Sequence, residues 1–136
     1  MKLLLLLLIF TSCSAQMQKT VIAKGAVYNW EVADFVQSGE TVRGFSFSYR
    51  NADIVPYTKG NIGFIDINEI IDFRDKLYFY ANLKCDYIII DKGDGYRIEC
   101  GVRSINIFDN HGCRFYITKA NAILLAEDLQ RGINLF

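Results

Sequence analysis

His111 and Cys113 come closest, in this 136-residue chain, to a pair whose types and spacing could do chemistry. An imidazole beside a thiol can take its proton and leave a nucleophilic thiolate, and the same two groups can hold a metal. His111 is the sole histidine and sits in Asp109-Asn110-His111-Gly112, a run of turn-forming residues. Cys113 opens the apolar stretch that follows, so the two side chains are expected to diverge. Zinc requires three or four ligands, and no second His/Cys cluster stands at ligand spacing. No catalytic residue, metal or cofactor is therefore expected.

The other thiols raise a redox question. Cys85 and Cys100 bracket a stretch with the signature of a hairpin, and a turn centred between Lys92 and Gly93 would set them opposite one another. A centre shifted to Gly93 or Asp94 would separate them. Cys85 and Cys100 are thus a candidate disulfide, with Cys113 left as a thiol or as the alternative partner of Cys100 on what reads as a neighbouring strand. The plainer alternative is that all three are small buried hydrophobes.

Carboxylates alone can also carry acid–base chemistry, and Asp53, Asp66, Glu69, Asp91, Asp94 and Glu99 are the candidates. Asp66, Glu69, Asp72 and Asp75 recur every three residues, yet Asp66 and Glu69 have the spacing of a capping box at a helix start. Asp91-Lys92-Gly93-Asp94-Gly95 lacks the alternating oxygens and terminal Glu of a calcium loop and reads as a hairpin turn. Phosphate-cradling glycine loops and nucleophile elbows do not occur.

Aromatics form the last group able to make a site. The chain has eight tyrosines, and Trp30, Tyr49, Tyr57, Tyr78, Tyr80 and Tyr116 are the candidate contact surface, because such rings join an apolar body to a polar tip. Aromatic residues also favour strands and fill cores, which is the competing reading.

The elements that must position these groups follow from periodicity. Val42 to Arg50 alternates, with Arg43, Phe45, Phe47 and Tyr49 on one side, as a half-buried strand does. Thr20 to Tyr28 reads as a strand with a bend near Gly25, and Asn51 to Asn61 as a loop. A helix is expected from Asp66 to about Leu83. Asp86–Asp91, Tyr96–Val102, Ser104–Phe108 and Cys113–Thr118 read as a four-strand meander. A second helix runs from about Lys119 to Arg131, capped by Thr118 or Asn121, with Gly132 as a left-handed stop. The fold class is α+β: an antiparallel sheet of five to six strands with two helices on one face. No linker or internal repeat is visible.

The N-terminus carries an address. Lys2 precedes eight apolar residues, Leu3 to Phe10, and then Thr11-Ser12-Cys13-Ser14-Ala15. This resembles Gram-negative bacterial export signals and implies a periplasmic or secreted setting. Eight apolar residues are too few to span a bilayer, which needs about twenty. Cleavage after Ala15 would leave residues 16–136 as one domain. Alternatively Phe10-Thr11-Ser12-Cys13 is a lipobox, Cys13 is acylated and the product is a membrane-anchored lipoprotein with a scaffolding role.

Losing Lys2 takes the 15 basic residues to 14 against 15 acidic ones. With Lys and Arg scattered, nucleic acid is not an expected partner, and a membrane is one only if Cys13 is lipidated. The function expected is a non-catalytic exported domain that binds a protein or cell-envelope ligand through an aromatic-bearing surface. A carboxylate-dependent hydrolase is the alternative.

Overall fold

The computed structural model describes residues 17–24, 28–37, 39–53 and 59–135. The N-terminal stretch read as an export signal, with Cys13, the bend expected near Gly25, and Tyr57 lie outside these residues. The elements run β1 (Met17–Lys24), β2 (Tyr28–Gln37), β3 (Glu40–Arg50), β4 (Lys59–Phe64), α1 (Ile67–Asn82), β5 (Ile89–Lys92), β6 (Tyr96–Cys100), β7 (Ser104–Asp109), β8 (Arg114–Thr118) and α2 (Lys119–Ile133).

The α+β class is the observed one. Its strands form two antiparallel meanders, β1-β2-β3-β4 and β5-β6-β7-β8, rather than one sheet of five to six. Four strands followed by a helix therefore occur twice, an architectural repeat with no counterpart in the residue pattern. The second meander is the one legible from its hairpins. In the first, β2 was not foreseen as a strand, and β4 begins at Lys59, inside the stretch expected to be loop.

Local chemistry explains the elements. Phe45, Phe47 and Tyr49 point inward from β3 and are almost wholly buried, so alternation there buys one apolar face and one solvated face. Asp66, in extended conformation, caps α1 by accepting the N–H of Asn68 at 2.8 Å. Ile70, Phe73, Leu77 and Tyr80 then recur at helical spacing as its buried stripe. Thr118 caps α2, its side chain accepting from Asn121 N at 3.2 Å. Gly132 is not the expected left-handed stop. It lies buried within α2, which continues until the right-handed Asn134 donates its N–H to Gln130 O.

The inner faces of β3, β4 and β6–β8 and the buried faces of both helices line a single core. Rings carry it from layer to layer. Phe47 meets Phe115 edge-on at 5.4 Å, joining β3 to β8, while Phe64, Phe73 and Tyr96 run from β4 through α1 to β6 at 5.4 and 4.8 Å. Arg74 of α1 donates to the side-chain oxygen of Gln130 of α2. At the junction of the sheets the Tyr49 hydroxyl donates to Cys113 O at 2.7 Å, and Ala52 N to Arg114 O at the same distance. No helix among the described residues is long and apolar enough to cross a membrane.

Candidate functional site

Where β8 passes into α2, a cleft of about 340 Å³ opens, lined by Tyr28, Phe115, Tyr116, Ile117, Thr118, Asn121 and Leu124. Strand alternation sends Phe115 and Ile117 toward the core and leaves Tyr116 exposed; Leu124, on the first turns of α2, is exposed as well. Tyr28, at the start of β2, forms the opposite wall, its ring edge-on to Phe115 at 6.1 Å. The Tyr28 hydroxyl donates to Asp128 Oδ2 at 2.8 Å. Asp128 is 7% exposed and also pairs with Arg131 one turn along α2, so the phenol is anchored by a buried carboxylate whose charge is balanced. The lining itself carries no charged residue.

A second cluster joins α1 to β5 and β6. Lys76 Nζ lies 3.3 Å from both Asp72 Oδ2 and Asp91 Oδ1, and 5.5 Å from the centre of the Tyr96 ring. The Tyr80 hydroxyl donates to Asp91 Oδ2 at 2.7 Å, and that of Tyr96 to Asp72 Oδ2 at 3.4 Å. Burial opposes the charge on Lys76, but Tyr96, Asp91 and Asp72 together outweigh it and raise its pKa above the ordinary lysine range. Burial, then Asp91, push the Tyr80 phenol up to about 12. Burial raises the Tyr96 phenol too, against the pull of Lys76. A lysine held charged cannot act as a base at neutral pH, and phenols raised this far stay protonated. The cluster ties helix to sheet.

The third cluster contains the thiols. Cys85 Sγ and Cys100 Sγ are 3.9 Å apart, both buried. They meet although the hairpin register is one expected to part them. Lys92 pairs with Arg97, which centres the turn between Asp94 and Gly95 and sets Ile89, not Cys85, opposite Cys100. Cys85 belongs instead to the connection between α1 and β5, which the end of α1 brings back over β6. Its thiol reaches Gly101 O at 3.3 Å, and Lys119 Nζ stands 3.9 Å from Cys85 Sγ while donating to Leu83 O. Burial, and then the bond with Cys85, raise the Cys100 thiol. Cys113 is no neighbour of Cys100, because β7 runs between β6 and β8. His111 is exposed on its turn while Cys113 is buried behind it.

Of the six aromatics, the four with described side chains do not gather on one surface. Tyr49 and Tyr80 are core residues, because strand alternation and the α1 stripe turn them inward. Tyr78 is half-buried against the core, and among these four Tyr116 lines the cleft. Trp30 is paired in β2 with Ala23 and Phe47; its side chain and Tyr57 are outside the described residues. The carboxylates are dispersed as well. Asp53 binds Arg114, Asp66 caps α1, Glu99 pairs with Arg97, Asp94 is exposed in its turn, and Glu69 lies in the first turn of α1. Among the described residues, Asp91 shares Lys76 with another acid, Asp72.

Sequence reasoning missed Tyr28, Leu124 and Asp128. A signal for the last was present: Asp128 falls three residues after Leu125, on the buried stripe of α2, where an acid needs a partner. Comparison with protein-family models, with curated proteins and with solved structures finds no match.

Proposed function

We propose that this chain is a non-catalytic binding domain, exported from the cytoplasm, that takes an apolar or aromatic side chain of a protein ligand into the cleft between Tyr28, Tyr116 and Leu124. One observation carries the reading. A concave wall of Phe115, Ile117 and the anchored Tyr28 ring lies between two large apolar residues that remain exposed, Tyr116 at 52% and Leu124 at 56%. Its volume of about 340 Å³ is within the range of small-ligand sites, which are mainly apolar with a few polar groups to orient the guest. Thr118 and Asn121 supply those polar groups here. The uncharged lining favours a protein side chain over the anionic headgroups of envelope lipids, which call for Lys or Arg.

Less supports a carboxylate hydrolase. Asp72 and Asp91, the acids nearest to forming a pair, both engage Lys76 and a tyrosine. The lipoprotein alternative rests on Cys13 and is decided by mass spectrometry of the mature N-terminus, where a start at Gln16 excludes acylation.

Titration of isotope-labelled protein with indole, p-cresol and soluble peptidoglycan fragments tests the cleft by NMR. The two aromatic probes are expected to shift the amides of Thr118, Asn121 and Leu124, and Leu124→Asp to abolish those shifts while leaving the rest of the spectrum in place. A response confined to the glycan, or aromatic shifts that survive Leu124→Asp, would overturn the reading. So would turnover of ester, peptide, glycan or phosphate substrates that is lost on mutation of Asp91.

A further inference from the structure

We infer that Cys85 and Cys100 are a dithiol redox pair, in which Cys85 is attacked into a mixed disulfide first and Cys100 resolves it, locking the α1–β5 connection onto β6. The geometry that carries this is the 3.9 Å Sγ–Sγ separation across a pair of residues on different kinds of backbone. Cys100 ends β6 and is held on both sides by the sheet, whereas Cys85 lies in the connection after α1, outside any helix or strand. Bringing the sulfurs to bonding distance requires an approach of about 2 Å. The connection can supply it without disturbing the ladder.

Exposure assigns the order of steps. Cys100 is fully buried, while Cys85 keeps 9% of its surface. The Lys119 ammonium stands 3.9 Å from Cys85 Sγ and acts on Cys100 as well, so it supplies both sulfurs with the electropositive neighbour that a thiolate requires. Lys119 is itself placed by its bond to Leu83 O and by its position as the first residue of α2, so the cation is built into the site.

The oxidant is a disulfide, RSSR, such as glutathione disulfide or a protein disulfide donor. Cys85 loses its proton to solvent, and its sulfur attacks one sulfur of RSSR. The Cys85–SR bond forms as RS–SR breaks, and the departing thiolate is protonated to RSH. Cys100 then gives up its proton and attacks Cys85 Sγ. The Cys85–Cys100 bond forms, the second RS⁻ leaves and is protonated, and the sum is two protein thiols plus RSSR giving one protein disulfide plus two RSH. Cys113 takes no part, since β7 separates it from Cys100.

The folded full-length mature protein is incubated with glutathione disulfide, quenched by alkylation, and analysed by intact mass and peptide mapping. Wild type should lose two hydrogens and yield a peptide cross-linked between Cys85 and Cys100. Cys100→Ala should accumulate a glutathione adduct on Cys85, and Cys85→Ala should carry about tenfold less adduct at equal time, as burial of the remaining thiol dictates. Wild-type mapping does not depend on either variant folding. A cross-link that includes Cys113, an adduct that forms first on Cys100, or three thiols that stay reduced under conditions oxidising an unfolded control would each overturn the assignment.

Discussion

Asp109 Oδ2 accepts the backbone N–H of Asn61 at 3.1 Å, a bond from the end of β7 to β4 that crosses between the two meanders. The other carboxylate oxygen accepts the N–H groups of His111 and Cys113, each at 2.9 Å, and so shapes the β7–β8 turn. One buried side chain therefore sets both a turn and the docking of two sheets. Asp109→Ala strands three donors, and the expected loss is about 3 kcal/mol, with a smaller loss for Asp109→Asn, which keeps one amide oxygen. Urea unfolding measures both; equal stability of Asp109→Ala and wild type would refute the role.

Gly93 is required by contact. A Cβ there would stand 2.0 Å from Cζ of Tyr96, whose ring is buried edge-on to Phe73 at 4.8 Å and cannot withdraw without breaking that packing. Gly93→Ala should cost about 2 kcal/mol, as overpacking does. Gly63→Ala is the control, because the nearest atom to its Cβ is 3.9 Å away. Its effect should stay below about 1 kcal/mol. Similar midpoints for the two variants in chemical denaturation would count against the clash.

Alkaline pH should unfold this protein in a defined direction. Burial, with Asp109 adding to it, raises the Tyr49 phenol; Tyr80 is pushed up to about 12, and Tyr96 and Lys76 are raised as well. The unfolded chain releases these protons near the ordinary value of about 10, before the folded chain does. Their contribution to stability is therefore complete below that pH and is lost as pH climbs through the folded values. Denaturation midpoints should be level through neutral pH and fall above about pH 10, with tyrosinate absorbance growing in step with unfolding. Tyr80→Phe should soften the fall. Complete ionisation of every tyrosine with the fold intact would contradict the argument.

Oxidation of the thiol pair has a consequence for stability. Cys85 and Cys100 are 15 residues apart, and closing a loop of that size is worth about 3 kcal/mol in the chain-entropy account. The oxidised protein should show a correspondingly higher urea midpoint than the same sample under reductant. Cys113→Ala should leave that difference unchanged, and its disappearance in this variant would assign the bridge elsewhere.

Much of the chain was legible in short-range pattern. The Asp66 cap was identifiable, and the cap of α2 was narrowed to Thr118 or Asn121, because a cap is a contact over two or three residues. The inward set Phe45, Phe47 and Tyr49 and the hairpins of the second meander were equally readable. β2 was not: Tyr28, Trp30 and Val32 alternate, but the phase shifts at Asp34-Phe35, and its strand identity comes from partners on both sides. The cleft was hidden for the same reason, since Tyr28 and Asp128 are 100 residues apart.

What residue order alone decided, then, is wherever a side chain acts on backbone within one turn or one strand: caps, alternating faces, the stripe of α1. The pairing of Cys85 with Cys100 and the meeting of Tyr28 with Asp128 were decided by assembly. Each depends on how two meanders and two helices share one core. Such contacts are selected by the packing of the whole, because no local preference links residues so distant along the chain.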